Sequence, residues 1–81
     1  MRVIALPKFD EAYAKLPDKI KRKVDKQITF LLKNFRHPSL HAKKYDEAQN
    51  IWQARVNSSY RFYFQIGDQI YIILSIIKHP K

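Results

Sequence analysis

The run from Ile51 to Ile66 constrains this chain more than any other stretch. Trp52, Ala54, Val56, Tyr60, Phe62, Phe64 and Ile66 hold even positions, whereas Gln53, Arg55, Arg61, Tyr63 and Gln65 hold odd ones. Side chains alternate across a strand, so this pattern reads as two amphipathic strands joined through Asn57, Ser58 and Ser59. One face of the hairpin is apolar and the other carries guanidinium and amide groups. A three-residue loop sets Val56 opposite Tyr60 and Arg55 opposite Arg61. A two-residue loop would set Arg55 against Phe62 and mix the faces, so the longer loop is expected. Like charges directly opposite destabilise a ladder by up to about 1 kcal/mol. The nearest acids, Asp46, Glu47 and Asp68, lie outside the strands. The arginines either splay into solvent or form an anion site, because guanidinium forks match phosphate oxygens.

The chain has 81 residues, enough for one domain with one core. It has no cysteine, which excludes disulfide and thiolate–metal staples and fits a reducing cytoplasm. The apolar run before Pro7 is too short for a signal peptide and no stretch approaches a membrane span, so a cytoplasmic location is expected. The net charge is +9, and residues 1–44 carry 12 of the 16 Lys and Arg against four of the seven acids. Such a field attracts nucleic acid, anionic membrane or an acidic protein; the alternative is solubility alone. There is no phosphate-binding glycine loop, serine elbow or paired-carboxylate signature. His37, His41 and His79 without cysteine make a poor zinc set. Tyr60, Phe62 and Phe64 could stack on bases, but their parity places them in the core.

Residues 2–6 read as a short strand ended by Pro7. Phe9, Ala12, Tyr13 and Leu16 have helical spacing, and Pro17 suits the first position of a second helix. Along that helix Ile20, Val24, Ile28, Leu31, Leu32 and Phe35 form a stripe, with Lys19, Arg22, Lys26 and Lys33 on the solvated side. Pro38 ends the helix near Asn34 and Phe35. Residues 36–50, which contain His37, His41, Lys43 and Lys44, read as an irregular connection that is long for so small a domain. Ile70 to Lys78 forms the last strand, apolar on both parities as for a strand covered on both faces. The order is β-α-α-β-β-β: an α+β domain spanning residues 1–81, with a helical hairpin packed on one face of a small, mainly antiparallel sheet. A three-residue turn after Ile66 would put His79 on the arginine face, and a two-residue turn would point it at the helices; the sequence leaves both open.

This pattern resembles the RelE/ParE-type toxins of bacterial type II toxin–antitoxin systems. The resemblance rests on residues 34–44 (Asn34, Phe35, Arg36, His37, Pro38, Ser39, Leu40, His41, Ala42, Lys43, Lys44), on Trp52, Arg55 and Val56 of the first hairpin strand, on Tyr60 and Arg61 of the second, and on residues 75–79. It implies an mRNA endoribonuclease, in many relatives acting in the ribosomal A site. A ribose 2′-hydroxyl would attack the adjacent phosphate without a metal or other cofactor. By the same resemblance Arg61 would stabilise the phosphate charge, Arg55 would assist it, and His79 would be the general acid or base. Lys43, Lys44, Gln53 and Lys78 would hold the RNA; Gln53 stands where ribosome-dependent members carry lysine. The implied partners are a cognate antitoxin, mRNA and the ribosome. The ParE branch of the same fold instead binds DNA gyrase without catalysis.

Overall fold

The computed structural model describes residues 1–78. Its elements are β1 (Arg2–Ala5), α1 (Pro7–Ala14), α2 (Asp18–Lys33), a 3-10 turn (Pro38–Leu40), β2 (Lys43–Asp46), β3 (Ile51–Arg55), β4 (Tyr60–Gly67) and β5 (Ile70–Lys78). The five strands form one sheet in the order β1-β5-β4-β3-β2. β1 runs parallel to β5 and every other pairing is antiparallel. The α+β architecture follows the sequence expectation, with one strand more.

The helices start where proline permits. Pro7 opens α1, where its missing N–H costs nothing, and the Pro17 carbonyl accepts from the amides of Ile20 and Lys21 at 2.9 and 3.0 Å. Asp18 in the first turn and Lys33 in the last suit the dipole of α2. Asn34 is extended and ends the helix. Phe9 of α1 and Val24 and Leu31 of α2 pack with Leu40 against Ala54, Val56, Phe62, Phe64, Tyr71, Ile73 and Ile76 of the β3–β5 region. Lys19, Arg22, Lys26 and Lys33 are exposed, as the stripe predicted. Leu32 does not join the core, and is 39% exposed. A polar residue takes part instead: Gln27, 1% exposed.

Two expectations are corrected. Residues 36–50 are not irregular throughout. The 3-10 turn inserts Leu40 into the core, and β2 then pairs along the edge of β3, Lys43 with Gln53 and Lys44 with Trp52, with a bulge at Tyr45 before Asp46 pairs with Ile51. An otherwise open β3 edge, with its row of unpaired backbone groups, is what recruits this strand. Second, β5 is not covered on both faces. A two-residue turn pairs Gly67 with Ile70, which puts odd residues Tyr71 and Ile73 in the core. A bulge at Leu74 then reverses the parity, so that Ser75 pairs with Tyr63 and Ile76 with Phe62. The doubled apolar pattern therefore arises from a parity switch plus apolar residues on an open face. Gly67, the last residue of β4, flanks this turn, where a Cβ would lie 2.8 Å from Ile70 Cγ2.

Candidate anion-binding cleft

The hairpin has the register its alternation requires. Arg55 pairs with Arg61, Ala54 with Phe62 and Gln53 with Tyr63, and the Val56 amide donates to the Tyr60 carbonyl at 3.0 Å. The helices cover the even face. The odd face is open, and there His41, Ala42, Lys43, Gln53, Arg55 and Arg61 line a cleft of about 400 Å³. Among the described residues, three cations and no carboxylate face it. Among the described residues the one ion pair is Lys44 with Glu47, so no acid neutralises either arginine.

Arg61 is oriented by its own loop. Asn57 Oδ1 accepts from the amides of Ser59 and Tyr60 at 2.8 and 2.9 Å, closing the turn. Arg61 Nη1 donates to the carbonyls of Asn57 and Tyr60 at 2.6 and 3.0 Å. Nε and Nη2 have no hydrogen-bond partner among the described residues and remain available to a ligand. Arg55 is held through its backbone: Gln27 Nε2 donates to the Arg55 carbonyl at 2.8 Å and to the Ser39 carbonyl at 3.1 Å. Gln27 Oε1 accepts from Ser39 Oγ at 3.1 Å. One buried amide thus ties α2, the 3-10 turn and the end of β3 together, and with them two walls of the cleft.

Beyond the arginines, Tyr63 extends the open face. Its phenol is pushed above the usual value by burial and by Tyr45, while Arg61 pulls it the other way. Tyr45 and Tyr63 meet edge to face with ring centroids 4.8 Å apart. They form part of a second, mainly apolar hollow with Leu6, Ile51, Leu74 and Ile77. Both bulges, at Tyr45 and Leu74, open onto this hollow.

Of the residues singled out in the sequence, Arg61, Arg55, Gln53 and Lys43 come together in the cleft. Lys44 does not. Its register partner is Trp52 on the helix side, its ammonium lies 4.7 Å from the indole centroid, and it donates to Asn50 Oδ1 at 3.0 Å. Lys78 is exposed at the sheet end opposite Tyr60, one residue beyond the pairing of Ile77 with Arg61. His79 lies outside the described residues. The sequence alone does not mark His41, Gln27, Asn57 or Tyr45 as parts of a site. Along β2 burial alternates, with Lys43 and Tyr45 exposed and Ala42, Lys44 and Asp46 half-buried, but the residue types do not alternate in polarity, so the sequence carries no period-two signal for β2 or for His41 beside it.

The chain has the RelE-like fold, shared over its whole length with RelE, YoeB and ParE toxins of type II toxin–antitoxin systems. A YoeB/ParE toxin from Agrobacterium tumefaciens superposes with a TM-score of 0.84 at 12% identity, over 99% of this chain and 100% of that one. A chain of the RelBE2 toxin–antitoxin complex from Mycobacterium tuberculosis superposes at 0.76 with 21% identity, over 96% of both chains. A chain of the intact E. coli RelBE toxin–antitoxin complex does so at 0.75 with 16% identity, over 98% and 96%. No protein-family model matches the sequence, and no curated protein does. Among the described residues no helix is long and apolar enough to cross a membrane.

Proposed function

We propose that this protein is the toxin of a type II toxin–antitoxin pair and arrests translation by cleaving mRNA. One observation carries the reading: Arg55 and Arg61 stand opposite each other, without a neutralising acid among the described residues, on the open sheet face of a RelE-like fold. A fold that tolerates this repulsion gains from it only when an anion arrives.

In the proposed reaction the scissile phosphate lies between the two guanidinium groups. The 2′-oxygen attacks phosphorus, the bond to the 5′-oxygen breaks, and the products are a 2′,3′-cyclic phosphate and a free 5′-hydroxyl. Arg61, pre-oriented by the Asn57 and Tyr60 carbonyls, presents Nε and Nη2 to the equatorial oxygens, where negative charge grows in the transition state. Arg55 shares that charge. Gln53 and Lys43 hold the flanking backbone, with Lys44 and Lys78 adding to the long-range field. His79 is assigned general acid or base on the resemblance alone. The partners are mRNA, with the ribosome positioning it, and an antitoxin whose acidic or amphipathic segment folds over the basic cleft. The complexes in which structural neighbours were crystallised with antitoxins support that partner class.

The test is brief induction in cells of wild type and Arg61→Ala, followed by mapping of mRNA 5′ ends. New ends inside translated reading frames, absent with Arg61→Ala, are expected. Growth arrest with intact messages would overturn the nuclease reading and direct attention to DNA gyrase.

A further inference from the structure

The cleft holds a titratable group that its arginines do not explain. We propose that His41 is a catalytic residue of this cleft, the general base that takes the proton from the attacking 2′-hydroxyl. This deepens the ribonuclease reading and rests on it.

The histidines described by the structure are used differently. His37 is committed to the fold: its Nδ1 accepts from the Ser39 amide at 3.1 Å, and its ring stacks on Phe30 at 4.0 Å and 5°. His41 has no hydrogen bond from its ring to any described residue and is exposed at the cleft wall beside Arg55 and Arg61. Its placement is imposed from both sides. Leu40 before it is fully buried, and Ser39 is clamped by Gln27. Ala42 after it leads into β2, which is paired along β3. Between these anchors the His41 backbone adopts a left-handed conformation at φ 47°, which L-residues enter at a cost and which recurs at functional sites. Glycine or asparagine would fill such a turn more readily, so turn geometry alone does not call for an imidazole.

His41 also reaches a second groove, which it shares with Lys23, Ser39, Arg55, Val56, Asn57 and Ser58. The charged groups around it are therefore Lys23 from α2, Lys43 from β2, Arg55 from β3 and Arg61 from β4, all cationic. This surrounding draws a phosphodiester to the imidazole. The reaction needs two proton movements. His41 accepts the 2′-hydroxyl proton as the 2′-oxygen bonds to phosphorus. As the bond to the 5′-oxygen breaks, that oxygen takes a proton from a general acid, the one of the two roles named for His79 that remains once His41 is the base. Histidine is suited to such transfers near neutral pH.

The test is single-turnover cleavage of a 5′-labelled synthetic message, both free and positioned on programmed ribosomes, across pH 5–9. His41→Asn is the informative variant because asparagine tolerates the left-handed turn, and an unchanged melting temperature certifies its fold. The expected result is a rate loss of about 10²–10⁴, disappearance of the acidic limb of the pH profile, and partial recovery with added imidazole in His41→Gly. Cleavage by wild type with His41→Asn at a similar rate overturns the inference and leaves the nuclease reading intact. Full activity in His41→Arg also overturns it, since a cation that cannot accept a proton would then suffice. Loss of the alkaline limb instead would overturn the base assignment. No cleavage by wild type on either substrate removes the nuclease reading itself, and this inference with it.

Discussion

The Gln27 side chain donates a 2.8 Å hydrogen bond to the Arg55 carbonyl, joining the middle of the long helix to the end of the strand that carries half of the arginine pair. The same amide holds both the carbonyl and the hydroxyl of Ser39. Gln27 is buried in the apolar stripe because it serves three partners from one position, which offsets the cost of removing an amide from water. Gln27→Leu keeps the volume and strands those partners. It is expected to cost about 2–4 kcal/mol in urea unfolding, and to lower cleavage through displacement of Arg55 and His41.

On the proposed ribonuclease reading, stability and function oppose each other at the arginine pair. Arg55→Gln removes the like-charge contact across the ladder and should stabilise the fold by a few tenths to about 1 kcal/mol. The same variant should bind RNA more weakly, with a shallower dependence of affinity on salt. Thermal melting and binding titrations at several salt concentrations read both effects. A destabilised Arg55→Gln would mean that the pair is not repulsive in the folded protein.

Arg61 contributes a fork as well as a charge. Arg61→Ala is expected to slow cleavage by about 10²–10³-fold, the scale of removing a transition-state donor. Arg61→Lys should recover only a small part of this, because an ammonium bonded to the Asn57 and Tyr60 carbonyls keeps a single N–H for phosphate and lacks the planar fork of the guanidinium. Single-turnover rates of the two variants decide between fork and charge.

Asn57 acts at one remove. Its Oδ1 closes the loop whose carbonyls orient Arg61. Asn57→Ala should cost about 1 kcal/mol of stability and slow cleavage less than Arg61→Ala does. Asn57→Asp, which keeps the acceptor, should restore stability while placing a negative charge near the guanidinium, and so weaken RNA binding.

Tyr63 links the cleft to alkaline stability. Burial is the larger cause of its raised value, followed by Tyr45. A folded value above the unfolded one means that the stabilising contribution is complete below the unfolded value, about 10, and is lost as pH rises through the folded value. Tyr63→Phe should remove one late-titrating phenol from the absorbance titration at 295 nm. It should also flatten the decline in melting temperature above pH 10.

The hairpin was legible because loop length and two-residue alternation are local properties that leave a single consistent register. Arg55 opposite Arg61, the buried Phe62 and Phe64, and the solvated lysine face of α2 all follow from period and spacing. Lys43 and Gln53 follow from the resemblance, whereas the strand pairing that brings them together does not show in the sequence. Lys44 is Lys43's neighbour in sequence, yet adjacent residues on a strand face opposite sides, so the two lysines part once β2 forms.

The sequence alone determined the amphipathic elements, their order and the facing arginines, because each depends on side-chain alternation or helical periodicity within a short segment. Tertiary structure decided the rest. β2 forms because β3 presents an edge, and the Leu74 bulge appears where β5 must pair with β4 while filling the core. Gln27 enters the interior because the Ser39 and Arg55 carbonyls converge on it, and His41 reaches the arginines because Leu40 is anchored beneath the sheet. Each of these depends on contacts between residues far apart in the chain, whose free energies exist only once the sheet and helices have packed.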